Sequence, residues 1–233
     1  MNYLAHFAFN HDICQLEPEP YFVMGVALPD LWPRLSRRRR IRWKCVRAAS
    51  SSDPRACRLR DGLLNHARTD RRFHALPAFV GWQRDLKTRV ATDAVRRALL
   101  DFLVHVVLEL AMDQHLLRRS PQLADRFYDC LQQCDYPTVE ANMAQVAGVN
   151  ARGLANLLRT FIGRRFMRRY TEPEALFGVV QHVLSLTAVR ERPTDGLLRE
   201  MLQSAAQLVD AATIWNGLAG GLTVGDSARK LPT

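Results

Sequence analysis

Two short segments of the 233-residue chain each contain a histidine followed four residues later by a carboxylate. The segments are LLNHARTDRRFH and VHVVLELAMD. Residues four apart in an α-helix differ by only about 40° around the axis, so each set shares one helix face. Imidazole and carboxylate groups are the ligands that Zn²⁺, Mn²⁺ and Fe²⁺ accept, so each face is predicted to form one wall of a metal site. The residues with this spacing are His66, Asp70 and His74 in the first segment and His105, Glu109 and Asp113 in the second.

Two further polar residues extend this set in the N-terminal region. Asp30 ends the apolar stretch GVALPD, and His6 stands alone among apolar residues in NYLAHFAF. Each has a simpler interpretation, because Asp30 could be the N-cap of a segment that begins at Leu31 and His6 could be a hydrogen-bonded core histidine. The His-x3-carboxylate pairs could equally be hydrogen-bonded pairs. Unpaired charges inside the apolar second segment would cost several kcal/mol, however, so we favour a metal shared between helices.

The elements that must position these residues are predicted to be helices. Helical periodicity is common and strand signals are scarce, so the sequence predicts an all-α, compact helical bundle with an irregular N-terminal third. The apolar segment FVMGVALPDLWPR is predicted to break at Pro29 and Pro33. One helix is predicted to have Ser120 as its N-cap and Pro121 at its first position. The predicted helices cover residues 94–119, 121–134, 137–147, 150–169, 173–190 and 193–215.

Composition indicates one globular domain with an anionic partner. The chain is 48% hydrophobic and 24% charged, and the domain is predicted to span residues 1–215, followed by a flexible tail at 216–233. No apolar run approaches the ~20 residues that span a bilayer, and no signal peptide is recognisable, so a cytoplasmic protein with reduced cysteines is expected. The net charge of +10 favours nucleic acid, anionic lipid, a phosphorylated small molecule or an acidic protein as partner.

Two arginine-rich segments are candidates for contact with such a partner. Residues 34–47, RLSRRRRIRWKCVR, combine arginines with Trp43, which suits phosphate contact and stacking, although a solvated surface explains them as simply. Neither segment matches a nucleic-acid-binding module, so nucleic acid is retained only as a partner without a specific motif. The second segment is predicted to form one positive ridge on a helix from Arg164, Arg165, Arg168 and Arg169.

The N-terminal half resembles the acyl carrier protein phosphodiesterase family. The similar stretches are MNYLAHFAFN, VMGVALPDLW and LLNHARTDRRFHALPAF. Members of that family are cytoplasmic, all-α, HD-like enzymes that use a metal, typically Mn²⁺, to remove phosphopantetheine from the carrier protein. The resemblance implies metal-site roles for His6, Asp30, His66 and Asp70. The family's next Asp-His pair is represented either by Val104–His105 or by Asp113-x-His115.

The order of the candidate ligands is also similar to that of zinc-dependent phospholipase C and P1-type nucleases. That group builds a polynuclear metal site from an early His, a loop Asp, and His-x3-Asp and His-x3-Glu helices. The similarity implies a ligand set composed of His6, Asp30, His66, Asp70, His74, His105 and Glu109.

Both resemblances imply metal-assisted hydrolysis of an anionic phosphoester. The expected cofactor is one to three Zn²⁺ or Mn²⁺ ions, which lower the pKa of a bound water towards ~7. Asp70 and Glu109 are the predicted catalytic carboxylates, which would bridge metals, orient the water or act as general base. Arg68, Arg71 and Arg72 are predicted to bind the phosphate.

The expected partner is the phosphoester substrate itself or an acidic carrier protein, and no oligomeric state is predicted. Two other functions stay open on the sequence. The chain could be a basic helical module that binds an acidic protein, nucleic acid or anionic lipid, with its His and carboxylate sets serving as buried hydrogen-bond networks or a structural metal site. It could also be a scaffold at a membrane surface or in a protein complex.

Overall fold

The computed structural model describes residues 1–36, 40–90, 95–187 and 192–219. Over these ranges the chain forms helices and no strand, which confirms the predicted all-α class. Among the helices of the described ranges, none combines the length and apolar character needed to cross a bilayer.

The N-terminal third is more regular than its sequence suggests. Helix α1 (Tyr3–Ala8) begins where the Asn2 side chain accepts the Tyr3 N–H, and it runs directly into a π-helical turn over Phe9–Ile13. Three helices follow, two of which begin with a proline after an acidic N-cap residue. They are α2 (Pro20–Leu35), α3 (Trp43–Ala48) and α4 (Pro54–His74).

The predicted break of α2 at Pro29 and Pro33 is wrong, because the helix continues through both residues. A proline inside a helix removes a backbone hydrogen bond and costs about 3 kcal/mol or more. The side chains of Met24, Leu28 and Leu31 are fully buried, and burial of each contributes about 1.5–3 kcal/mol. Several more apolar side chains of α2 are buried as well, and together they outweigh the cost of the two prolines.

The C-terminal two thirds consists of eight further α-helices in the described ranges and one 3₁₀ turn, Phe166–Arg169. The long segment predicted at 94–119 is α6, and 12 of its residues are buried. Residue 94 and the end of the segment predicted at 173–190 lie outside the described residues. The helices are α5 (Pro77–Arg89), α6 (Arg97–Arg119), α7 (Leu123–Gln132), α8 (Tyr136–Ala147), α9 (Leu154–Arg164), α10 (Pro173–Ser185), α11 (Asp195–Leu208) and α12 (Ala211–Ala219).

Several predicted helix ends differ from the structure. The N-cap of α7 is Gln122 rather than Ser120, and the Ser120 carbonyl accepts the Leu123 N–H at 3.0 Å in the preceding turn. The helix predicted over 150–169 ends at Arg164, because Arg165 adopts a left-handed φ of 43° that cannot continue it.

The segment predicted as one helix over 193–215 is divided between α11 and α12. Val209 has extended backbone angles, which end α11. Because α12 continues to Ala219, the first four residues of the predicted tail are helical. The rest of the tail, 220–233, lies outside the described residues.

Helices α2 and α4 cross at a contact that only glycine allows. A Cβ atom at Gly25 would lie 2.2 Å from the Leu59 carbonyl oxygen, and a Cβ atom at Gly62 would lie 2.1 Å from the Phe22 carbonyl oxygen. Both distances are far below van der Waals contact, and the obstructing atoms belong to the backbone. The crossing therefore fixes α2 and α4 at a close separation, which determines how residues further along the two helices face each other.

Candidate metal centre

Four helices carry the seven candidate ligands, and the structure brings these residues together. Helix α1 is entirely buried and contacts α2, α6 and α7. Helix α4 presents its three candidate residues along one face, towards α1 and α6. The ligands are His6 on α1, Asp30 on α2, His66, Asp70 and His74 on α4, and His105 and Glu109 on α6.

The buried imidazole of His66 has one nitrogen fixed by the backbone. Its Nδ1 lies 2.9 Å from the carbonyl oxygen of Val26 on α2. A carbonyl can only accept a hydrogen bond, so Nδ1 carries the proton and Nε2 is left with a lone pair. That Nε2 lies 3.8 Å from Asp30 Oδ1. Burial lowers the pKa of His66 to about 4, so the ring is neutral at physiological pH.

The imidazole of His6 is fixed in the same tautomer by a side chain. Its Nδ1 lies 3.2 Å from the Thr69 hydroxyl, which has the carbonyls of Asn65 and His66 at 2.9 and 3.2 Å. The hydroxyl donates its proton to the nearer carbonyl, that of Asn65, so the hydroxyl oxygen accepts from His6 Nδ1. Burial lowers the pKa of His6 well below its usual value, and the Met1 ammonium nearby adds to this effect. The His6 Nε2 atom is therefore unprotonated.

The two Nε2 atoms and the Asp70 carboxylate form the first cluster. The ligand atoms of His6, His66 and Asp70 all lie within 4.8 Å of one another, and His6 Nε2 lies 3.9 Å from Asp70 Oδ1. Ligand bonds of about 2 Å bring atoms that share an ion within about 4 Å of one another, so a small inward movement of these side chains would let all three bind one ion. His6 Nε2 and Asp30 Oδ2 are buried without a hydrogen-bond partner. A divalent cation would satisfy both atoms, so these residues fit a metal.

The second cluster consists of His74, His105 and Glu109, whose ligand atoms also lie within 4.8 Å of one another. Glu109 Oε1 lies 3.0 Å from His74 Nε2 and 3.2 Å from His105 Nε2. His74 Nδ1 lies 3.2 Å from Asp70 Oδ2, which joins this cluster to the first. Although burial opposes the charge, hydrogen bonds to both carboxylates raise the pKa of His74 to about 9. His74 is thus an imidazolium that links the clusters.

Cations offset the two ionised carboxylates of the site. The Met1 ammonium donates to Asp70 Oδ1 at 2.5 Å and to Glu109 Oε1 at 2.9 Å. Burial disfavours this ammonium, but the neighbouring carboxylates outweigh burial and raise its pKa to about 10. Burial also favours neutral Asp70 and Glu109, yet their cationic partners hold both pKa values well below the usual range. His74 and Met1 therefore supply the positive charge that balances the two carboxylates.

Asp113 lies beside the centre, and His115 does not. Asp113 Oδ1 accepts the Ala5 N–H at 2.9 Å, so this buried carboxylate caps α1, the helix that carries His6. Burial, with a smaller contribution from Glu109, raises the pKa of Asp113 to about 8. His115 lies six residues after Glu109, about 240° around α6. The charges that act on His115 are those of Arg119, Asp210 and Arg118, which do not belong to the centre.

The arginines predicted to bind phosphate are not directed at the centre. Arg68 and Arg72 are each two residues from Asp70, so they lie about 200° from it around α4. Arg68 is exposed. Burial raises the pKa of the Cys14 thiol, and the positive charge of Arg68 partly opposes this rise, so Arg68 lies near Cys14. Arg71 is exposed at about 100° from Asp70. Contact between these side chains and phosphate stays a prediction that the observed geometry does not favour.

The predicted positive ridge on one helix is wrong. Arg164 ends α9, whereas Arg168 and Arg169 lie on the 3₁₀ turn. Three of the four arginines pair with carboxylates: Arg165 with Asp129 at 2.5 Å, Arg168 with Asp125, and Arg169 with Glu172 at 2.8 Å. Much of this positive charge is therefore neutralised within the fold.

The centre opens to solvent on the side of its carboxylates. The side chains of Asp30, Asp70 and His74 are each 28–30% exposed, and that of His105 is 37% exposed. The imidazoles of His6 and His66 are buried behind them. This combination of buried ligands and an open side is what a catalytic metal site requires, because a substrate must reach the ion.

Sequence reasoning did not identify the groups that orient the ligands. The Val26 carbonyl and the Thr69 hydroxyl fix the two buried imidazoles, and neither residue type signals such a role. The sequence did not predict the Met1 ammonium as part of the site. Asp113 did carry a signal, because it lies four residues after Glu109 on the same face of an apolar helix.

Comparison with known proteins does not identify a relative. No protein-family model matches the sequence, and neither the curated proteins nor the solved structures contain a significant match. The functional interpretation therefore depends on the chemistry of the candidate centre.

Proposed function

We propose that this protein is a metal-dependent phosphodiesterase that acts on an anionic phosphoester substrate. The observation that carries the proposal is the convergence of two unprotonated Nε2 atoms, of His6 and His66, with the Asp70 carboxylate. Neutral imidazoles and an ionised carboxylate are the protonation states that metal ligands need. The buried His6 Nε2 and Asp30 Oδ2 atoms have no hydrogen-bond partner in the described parts of the chain, and a divalent cation would satisfy both.

The two clusters suffice to hold two ions of Zn²⁺ or Mn²⁺. His6, His66 and Asp70, with Asp30 beside them, would hold one ion, and the second cluster would hold another. Binding would require the Met1 ammonium to move away from Asp70 and Glu109 and His74 to give up its proton. A bound divalent ion lowers the pKa of a coordinated water and so supplies hydroxide near neutral pH, and it also neutralises phosphate charge.

The carboxylates of Asp70 and Glu109 act as ligands and hydrogen-bond acceptors in this proposal. Their pKa values lie well below the usual range, because cations surround them. A carboxylate that holds its charge so strongly is a poor general base, since proton transfer is most effective when the pKa lies near the working pH. With a metal bound, both residues would be able to accept a hydrogen bond from the attacking water and orient it.

The finer proposal is a phosphopantetheinylated carrier protein as substrate. It follows from the resemblance of the N-terminal stretches to the acyl carrier protein phosphodiesterase family. An acidic carrier protein would suit the net charge of +10. Incubation of a phosphopantetheinylated carrier protein with enzyme and Mn²⁺ should reduce the carrier mass by that of the phosphopantetheine group, as read by intact-mass spectrometry.

Hydrolysis of bis-(p-nitrophenyl) phosphate tests the proposed chemistry. The metal-free protein should become active on addition of Mn²⁺ or Zn²⁺ and lose that activity in EDTA. Replacement of a ligand in His66→Gln should lower activity at subsaturating metal by about 100-fold or more. His182→Gln is the matched control, because His182 is an exposed histidine on α10 and should leave activity unchanged. No hydrolysis with either ion and a metal content near zero would overturn the proposal.

A second candidate function is a basic module that binds an acidic protein. Arg42, Lys44 and Arg47 on and beside α3 are exposed, and they have no carboxylate partner among the described residues. Such binding should weaken with salt and persist in His66→Gln. Loss of binding in the Arg42→Gln/Lys44→Gln/Arg47→Gln variant, with hydrolysis absent from the wild type, would favour this function over phosphodiester hydrolysis.

A further inference from the structure

Arg34 is a cation on the same side of α2 as Asp30, one helical turn further on. Its side chain is partly buried, and the guanidinium carbon lies 5.4 Å from the centroid of the Phe166 ring. In the described parts of the chain, Arg34 forms no ion pair with a carboxylate. A partly buried guanidinium that lies on an aromatic ring and has no carboxylate partner keeps N–H donors available for an anion from outside the chain.

A series of aromatic contacts runs from Arg34 to α1, the helix that carries His6. The Phe166 ring contacts Phe161 at 5.5 Å, and Phe161 contacts Tyr3 at 5.2 Å between centroids. Tyr3 lies two residues from the Met1 ammonium that contacts Asp70 and Glu109. Burial raises the pKa of Tyr3, Asp30 raises it further, and Arg34 opposes the rise. The guanidinium and the Asp30 carboxylate therefore act on the same phenol.

Other arginines that lie over aromatic rings differ from Arg34 in their partners. Arg126, Arg165 and Arg199 each also pair with a carboxylate, so their positive charge is used within the fold. Arg55 has no such pair, but it is exposed and lies near the start of α4, far along the helix from its ligands. Arg34 combines partial burial, a fixed aromatic platform and a position one helical turn from Asp30.

We infer that Arg34 is the substrate-binding arginine of this site and that its guanidinium binds phosphate oxygens of the phosphoester. The inference rests on the proposed function and names the group that recognises the substrate. Arg34 takes the role that the sequence predicted for Arg68 and Arg72, which lie on the other side of α4 from Asp70. The planar fork of arginine binds two phosphate oxygens at once, and stacking on Phe166 restricts its orientation.

The test compares Arg34→Met, Arg34→Lys and the exposed control Arg68→Met. Binding of inorganic phosphate is measured by calorimetry on the Mn²⁺-loaded and the metal-free protein, and kcat and KM are measured on bis-(p-nitrophenyl) phosphate. Arg34→Met should weaken phosphate binding and raise KM about tenfold to a hundredfold, with Mn²⁺ affinity unchanged. Arg34→Lys should recover part of the loss, because it restores the charge without the fork. Arg68→Met should behave as the wild type.

Equal phosphate affinity in Arg34→Met and the wild type would overturn the inference, even if hydrolysis is observed. Loss of Mn²⁺ binding in both Arg34 variants would also overturn it, because Arg34 would then support the fold rather than the substrate. If the wild type fails to hydrolyse the diester but binds phosphate through Arg34, the proposed function fails and the anion site stands. A wild type that binds no phosphate with or without Mn²⁺ contradicts the inference.

Discussion

At the scale of single residues, the chemistry of the site depends on two hydrogen bonds that fix imidazole tautomers. The Val26 carbonyl and the Thr69 hydroxyl each hold an Nδ1 proton, which leaves the Nε2 atoms of His66 and His6 unprotonated. Such partners raise ligand basicity and set the ring orientation, and their loss typically costs tenfold to a hundredfold in metal affinity.

The Thr69→Val variant tests this arrangement, because valine keeps the shape of threonine and removes the hydroxyl. We expect Mn²⁺ and Zn²⁺ affinities to fall about tenfold to a hundredfold, while circular dichroism shows an unchanged helix content. Thr88→Val is the matched control, since Thr88 also donates to a carbonyl four residues earlier, at 3.1 Å, but lies on α5 in an exposed position. Equal metal affinities in the two variants would contradict the role given to Thr69.

His74 makes the stability of the metal-free protein dependent on pH. The pKa of His74 is about 9 in the folded protein and near 6.5 in the unfolded chain. Below pH 6.5 both states are protonated and the stabilisation is complete, and as the pH rises through 9 the folded state also loses its proton and the stabilisation disappears. We therefore expect the free energy of unfolding in EDTA to fall by about 2 kcal/mol between pH 6.5 and 9 through His74.

Urea unfolding in EDTA at several pH values measures this dependence. His74→Gln should show a clearly smaller decline, and the part that remains should come from Met1, Asp30 and Asp113, whose pKa values are also raised. A metal ion competes with the His74 proton, so metal affinity should increase over the same pH range. An identical decline in His74→Gln would show that His74 is not an imidazolium in the folded protein.

At the scale of elements, the crossing of α2 and α4 determines the site. Gly25 and Gly62 let the two backbones approach. His66 lies on α4 four residues after Gly62, and from there its side chain reaches the Val26 carbonyl and Asp30 on α2. The separation of the two helices thus controls the first cluster directly.

Gly62→Ala should destabilise the protein by about 3 kcal/mol or more, because the new Cβ would lie 2.1 Å from the Phe22 carbonyl oxygen. Metal affinity should fall as well, since the helices must move apart. Gly81→Ala in α5 meets no atom within 4 Å and should stabilise the protein by about 0.5–1 kcal/mol. Thermal unfolding and calorimetry of both variants give the comparison, and a Gly62→Ala protein as stable as the wild type would exclude the tight crossing.

Sequence patterns predicted long helices with a regular apolar period well. They predicted less well the helices whose local sequence disfavours a helix and that tertiary packing stabilises. The 94–119 segment was correctly predicted as a helix because its apolar residues cover most faces. Helix α2 was not, since local rules weigh Pro29 and Pro33 as breaks and cannot see the burial that compensates for them. The end of α9 depends on the left-handed backbone of Arg165, for which the residue type gives no signal.

At the scale of the whole molecule, the sequence predicted which residues converge but not the hydrogen-bond and ion-pair partners that hold them in place. Ligand types at helical spacing were enough to propose the set from His6 to Glu109, which are 103 positions apart in the chain. The partners of these residues could not be predicted, because backbone carbonyls and hydroxyls carry no sequence pattern. The density of arginines along the sequence was also a weak guide to anion-binding residues, because it does not show which arginines form ion pairs in the fold. Arg165 and Arg168 are paired with carboxylates, whereas Arg34 has no carboxylate partner among the described residues.

Equilibrium binding of Mn²⁺ and Zn²⁺ to the metal-free protein tests the central claim most directly. Calorimetry should show saturable binding to the wild type and to His182→Gln, and its loss in the His6→Gln/His66→Gln variant. Unfolding of the wild type at 100 times the dissociation constant should require about 2.7 kcal/mol more than without metal. No binding to the wild type, or equal binding to the His6→Gln/His66→Gln variant, would contradict the claim that these residues form a metal centre.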